Sequence, residues 1–148
     1  MYKMCKCSEK WRDVGPLVLR VIVGLVFLLH GWMKIQSPAG STSQFFAQIG
    51  IPAAGFFAII VTWLEFFGGI ALILGIFTHW ASKLLAIEMV VAIFTVHIGQ
   101  GFFINPQRYG VEFALTLFGA LVAIMAMGAG KYSLDAKVMK SHGEEQKM

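Results

Sequence analysis

Hydrophobic positions fall into four long runs, at about residues 16–35, 53–77, 80–99 and 110–130, separated by short polar stretches. Each run is roughly 20 residues, which as a helix rising ~1.5 Å per residue matches the ~30 Å hydrocarbon thickness of a bilayer. The pattern predicts an all-α integral membrane four-helix bundle over residues 16–130, between a polar N-terminal tail (1–15) and a polar C-terminal tail (131–148). Pro16 suits the first turn of the first span, where its missing N–H costs nothing. Residues 36–52 carry no charge and are rich in Ser, Gly, Gln and Pro. They read as a loop or shallow re-entrant segment in which Phe45 and Phe46 dip into the interface. Thr78-His79 reads as a tight turn, and Asn105-Pro106 as another. A basic start before an apolar run can also open a signal peptide. Here the apolar region ends near Leu29, too far from the small residues at Ser37-Pro-Ala39, and Arg20 and Lys34 interrupt the pattern, so the run reads as a span.

Composition agrees: 57% of the residues are hydrophobic and only 14% charged, against roughly 25% charged in soluble domains. The net charge of +4 does not point to nucleic acid, because the basic residues sit at the ends of apolar runs rather than on one solvated face. With four spans, one side collects Lys3, Lys6, Lys10, Arg12, Lys83, Lys131, Lys137, Lys140 and Lys147, and the other only Lys34 and Arg108. By the positive-inside rule both termini are cytoplasmic. Cys5 and Cys7 precede the first span and read as part of a reduced tail, since a lone C-x-C lacks a four-ligand metal set.

The charges inside the apolar runs carry the functional signal. An arginine at a bilayer centre costs about 2.5–3.5 kcal/mol on insertion scales, less near the interface, so Arg20 needs a partner. Glu65 and Glu88 stand near mid-span and are the expected ones. At 100° per residue, Arg20 shares a face with Gly24, Gly31 and Lys34, and Glu65 with Ala54, Ala58, Gly69 and Leu72. Glu88 shares one with Ala81, Ala92, Thr95 and Gly99, and Glu112 with Thr116, Gly119, Ala123 and Gly130. Small residues let membrane helices approach closely, so all four stripes are expected to face inward. Depth divides the polar residues: Arg20, Glu65 and Glu88 lie from the cytoplasmic half to the midplane, while His30, Lys34, His97, Gln100 and Glu112 lie toward the outer face. On an ideal helix His97 points about 180° away from Glu88. Haem would need two histidines facing one another across a roomy gap, and nothing in the sequence displays that arrangement.

These residues resemble the DoxX family of small four-helix membrane proteins. The resemblance is carried by Leu19-Arg20…Gly24…Phe27…His30-Gly31…Lys34, then Gly50-Ile51-Pro52, then Glu65-Phe-Phe-Gly68-Gly69…Leu72…Gly75, His97 and Glu112. It covers roughly residues 15–130 and implies a bacterial inner-membrane protein, some relatives being membrane subunits of thiosulfate:quinone oxidoreductases. It also implies Arg20, Glu65, His97 and Glu112 as a candidate polar site. No intramembrane cysteine and no nucleotide-binding motif accompany it here.

Two readings follow. In the first, the chain is the membrane subunit of a redox system linked to sulfur or thiol stress, with quinone as its non-covalent cofactor and electrons supplied by another membrane or peripheral subunit. Glu65, His97 and Glu112 then handle protons, while Arg20, His30 and Glu88 hold the ligand. In the second it is not an enzyme but a membrane chaperone, an assembly subunit or a small-solute carrier on the same polar core. Both have the lipid bilayer as partner, involve neither nucleic acid nor a metal site, and are compatible with a homo-oligomer.

Overall fold

A computed structural model describes residues 6–37 and 40–137, with side chains from Asp13 onward. The reading of Cys5 and Cys7 falls outside the described side chains, and most of the C-terminal tail outside the described residues. Five α-helices follow one another among the described residues: α1 (Lys6–Gln36), α2 (Ser41–Gln48), α3 (Ala54–Leu74), α4 (Thr78–Ala92) and α5 (Val111–Met127). The last part of the α4 rod changes pitch, to a π-helix at Ile93–His97 and a 3-10 turn at Ile98–Gln100. No strand occurs among the described residues. Three rods are long and apolar enough to cross a membrane, Asp13–Gln36, Ala54–Leu74 and Thr78–Gln100, while α5 is a shorter apolar helix of 17 residues.

Close helix packing is built on glycine. A Cβ on Gly24 would lie 2.8 Å from both Gly69 O and the Ile73 side chain, one on Gly31 would lie 2.5 Å from Phe66 N, and one on Gly69 would lie 2.5 Å from Leu28 N. These contacts fix α1 and α3 antiparallel: Gly31 faces Phe66, Leu28 faces Gly69 and Gly24 faces Ile73. Continued along both helices, that register puts Lys34 level with Trp63 and Arg20 level with Phe77. Between α3 and α4, the Leu85 side chain fills the space over Gly68, 3.1 Å from where a Cβ would be. Val23, Phe27, Leu72, Leu85, Leu121 and Ile124 complete the core.

Several expectations change. Helix α1 starts ahead of Pro16, so this proline sits inside a helix rather than at its first turn. Its ring deprives only a carbonyl in the polar flank of a partner, where solvent can replace the lost bond. The 36–52 connection is helical over α2. The α3–α4 turn is Gly75–Phe77, and Thr78 already belongs to α4. Gly75 (φ +69) and Phe77 (φ +48) both adopt left-handed backbone there. The glycine stripe of α5 does not face inward. Its buried face is Ala114, Leu117, Leu121 and Ile124, and Gly119 looks onto open space. Helix α5 thus packs on α4 through larger apolar side chains, and spacing of small residues alone was insufficient to orient it.

Candidate functional site

The half of the bundle away from Arg20 encloses a cavity of about 880 Å³, bounded by α1, α3, α4 and α5 and flanked by α2 and the loop before α5. That is at the upper end of the roughly 300–1,000 Å³ typical of small-molecule sites. Most of the wall is aliphatic or aromatic, including Phe27, Phe45, Phe46, Phe57 and Phe113, with Ile104 and Tyr109 from the loop. Against this apolar lining stand Lys34, Glu65, Glu88, His30 and His97.

Lys34 reaches from α1 across to α3, where its Nζ lies 2.6 Å from Glu65 Oε2. Glu65 is only 4% exposed, so its half of the ion pair is buried, while the Lys34 side chain is half-buried. The Glu88 carboxyl from α4 lies against the Glu65 carboxyl. Packing of Leu85 over Gly68 demands this, because three residues back on α3 is three residues forward on α4. Glu88 Oε2 is buried and has no hydrogen-bond partner among the described residues.

The two histidines are oriented by backbone carbonyls. His30 Nδ1 lies 2.8 Å from Val26 O, one turn earlier in α1, and the ring stacks on Phe113 with centroids 6.0 Å apart. His97 Nδ1 lies 2.6 Å from Tyr109 O. A carbonyl can only accept, so each Nδ1 carries the hydrogen, and in the neutral ring Nε2 is left as an acceptor. His97 lines the same cavity as Glu88, although an ideal helix would turn it away. The π-helix at Ile93–His97 inserts extra backbone per turn and rotates the end of the rod.

Arg20 and Glu112 do not join this group. Arg20 is 1% exposed and meets neither Glu65 nor Glu88: its guanidinium donates to Ala129 O and, at 2.7 Å, to Tyr132 O. The helix register explains the correction, since Arg20 is level with Phe77, twelve residues from Glu65 or about 18 Å along α3. Asp135 from the same C-terminal segment accepts the N–H groups of Phe77 at 2.9 Å and Thr78 at 3.0 Å. Glu112 stands in the first turn of α5, as its position suggested, but its Oε1 accepts the Ile104 N–H at 2.8 Å. It fastens the loop beside the cavity and is not part of the cavity wall. Lys34 is the residue that the sequence reading left out of its site. Its stripe with Gly31 is expected to face inward, but the length of the α1–α3 connection leaves the register, and so its partner, open.

Comparison with known proteins agrees with this architecture. The DoxX family profile matches residues 15–98. The chain is 34% identical to "Putative oxidoreductase CatD" of Bacillus subtilis over 128 residues, covering 86% of this chain and 90% of that protein. It is 32% identical to inner membrane protein YqjF of Escherichia coli over 132 residues, 89% of this chain and 98% of the relative. A membrane protein of Mycobacterium tuberculosis is 34% identical over 137 residues, 85% of this chain and 84% of the relative. No solved structure matches. With a family match over more than half its length, near-full-length relatives and three helices of spanning length, this chain belongs to the DoxX family and is a multi-pass inner-membrane protein.

Proposed function

We propose that the protein is the quinone-binding membrane subunit of a redox system, its four apolar helices crossing the inner membrane with both termini in the cytoplasm. The orientation rests on the nine-to-two distribution of Lys and Arg. The fourth crossing requires α5, about 25 Å long at ~1.5 Å per residue, to be completed by its apolar flanks. The observation that carries the function is the cavity itself, a large aromatic-lined space whose titratable polar groups are the Lys34–Glu65–Glu88 cluster, two histidines and Tyr109, with Ser41, Thr42 and Thr95 adding hydroxyls. The oxidoreductase name of one relative lends the redox reading further support.

A quinone accepts protons as it accepts electrons, and its two carbonyl oxygens want hydrogen-bond donors before reduction and acceptors after it. The acidic pair can donate, and the Nε2 atoms of His30 and His97, which line the same cavity, can accept. Aromatic residues exclude water from the ring, and the Lys34 charge stabilises negative charge that develops nearby. Electrons come from a redox partner subunit.

The test is binding of a short-chain ubiquinone or menaquinone analogue to the purified protein in lipid nanodiscs, followed by quinone-linked turnover with the partner. Wild-type protein is expected to bind saturably. Glu65→Gln, which keeps shape and removes charge, is expected to fold and assemble but to stop turnover. A wild-type protein that binds neither quinone class overturns the reading.

A further inference from the structure

Lys34, Glu65 and Glu88 come together where α1, α3 and α4 pack, yet their formal charges do not cancel. Two carboxylates and one ammonium leave one negative charge in an apolar wall. The lysine is committed to Glu65 at 2.6 Å, and Glu88 touches that same carboxyl with a buried, unpartnered oxygen. Lys34 is the one cation among the described residues within ion-pair distance of either carboxyl. His30 of α1 and His97 beyond α4 are tied through Nδ1 to Val26 O and Tyr109 O. Glu112 of α5 is engaged with Ile104 N–H, and Arg20 is at the other end of α1, bound to carbonyls of the C-terminal segment. Like charges in contact in a dry site cannot both persist, and carboxyl pairs of this kind share a proton.

We propose that the Glu65–Glu88 pair holds one proton, that Lys34 sets this number by fixing Glu65 as the ionised partner, and that Glu88 carries the proton, donating it to the Glu65 carboxylate in the empty cavity and turning it to an oxygen of the cavity ligand when one binds. Only the last step rests on the quinone reading. The assignment changes the roles that the sequence suggested. Glu65 becomes the counter-ion, Glu88 the acid, and Lys34 a positioning residue that acts through Glu65. It also accounts for the orphaned Glu88 oxygen, since a carboxylic acid against a carboxylate makes a charge-assisted hydrogen bond where two carboxylates would only repel. A simple rule results: the cluster holds as many protons as it has carboxyl groups in excess of ammonium groups.

Infrared spectroscopy of the full chain in lipid nanodiscs at neutral pH reads this count directly, through the deuterium-sensitive C=O stretch of protonated carboxyl groups. Wild-type protein is expected to show the band without any quinone present. Glu88→Gln and Glu65→Gln should each abolish it, because the remaining carboxylate is neutralised by Lys34. Lys34→Met should raise it about twofold, two acids now lacking a counter-ion, and the double variant Lys34→Met/Glu65→Gln should return it to the wild-type intensity. Absence of the band in wild-type protein, or its persistence unchanged in Glu88→Gln, overturns the proposal even if Lys34→Met fails to fold. Because no quinone enters the measurement, a protein that follows this count but binds no quinone refutes the redox reading alone, and one that binds quinone without the band refutes only the shared proton.

Discussion

Helix α1 carries a cation near each end of its apolar stretch, and the two ends have opposite characters. At one, Arg20 is enclosed by backbone: its fork spans the carbonyls of Ala129 and Tyr132, and a Cβ on Gly75 would overlap the guanidinium. At the other, Lys34 pairs with Glu65, and Glu88 lies against that carboxyl beside a large cavity. Arginine suits the first place because a rigid planar fork can bridge two fixed acceptors, and lysine suits the second because a point charge on a flexible stem can serve a carboxylate. Where carbonyls take up the terminal donors of the guanidinium, with Asp135 nearby and only Nε left unpartnered, a buried charge ties chain segments together. Where acids outnumber bases next to open space, a proton and a hydrogen-bonding position are left over. The Arg20 end is therefore a structural clasp, and the Lys34 end is the site.

The clasp makes the largest stability predictions. Arg20→Met strands the Ala129 and Tyr132 carbonyls, and two orphaned groups at ~1–3 kcal/mol each give a loss of about 2–6 kcal/mol. Thermal unfolding in detergent and the yield of membrane-inserted protein measure it, and an R20M protein as stable as wild type would break the comparison. Arg20→Lys is expected to recover only part of the loss, since an ammonium cannot bridge both carbonyls as the fork does. Gly75→Ala imposes a side chain on a left-handed residue (φ +69) and against the guanidinium, for a loss of about 1–3 kcal/mol by the same assay. Asp135→Ala removes the acceptor for two N–H groups at the start of α4. It should cost about 0.5–2 kcal/mol, with Asp135→Asn retaining part of that by keeping one oxygen.

The two ends also differ in how far the sequence disclosed them. Glu65 and Glu88 flank the tight turn at Gly75–Phe77 at nearly equal distances, so a hairpin of two straight helices has to bring them level. Their meeting could be counted from the sequence once the turn was placed. Lys34 was harder, because the α1–α3 connection contains a helix of its own and does not fix a register. That register depends on which glycines interlock: Gly24 with Gly69, and Gly31 with Phe66. Arg20 was read wrongly for a physical reason. Its acceptors are main-chain carbonyls more than a hundred positions away, every residue has such a carbonyl, and no side-chain pattern singles these out. The expectation paired Arg20 with a mid-span glutamate, whereas the fold gives its terminal donors to backbone carbonyls and sets Asp135 of the C-terminal segment nearby. Glycine spacing turned the α1 and α3 stripes inward, as found, and failed for α5, where Gly119 looks onto open space, because small residues permit close approach without requiring it.

Glu88→Gln is expected to have the smallest effect on folding and the clearest effect on function. The glutamine amide occupies the volume of the carboxylic acid and can donate an N–H to Glu65 where the acid donates its O–H, leaving the Lys34–Glu65 pair at 2.6 Å intact. Stability should change by no more than about 1 kcal/mol, the net worth of one hydrogen bond. The amide can still donate to a ligand oxygen, so a short-chain quinone should bind within a few-fold of its wild-type Kd. An amide cannot surrender that proton at neutral pH, so quinone-linked turnover should stop. This split between retained binding and lost turnover separates the site from the clasp, because a merely structural Glu88 would lower stability and binding together. If Glu88→Gln instead unfolds at the temperatures expected of Arg20→Met, the two ends of α1 are alike and the cavity cluster is a second clasp.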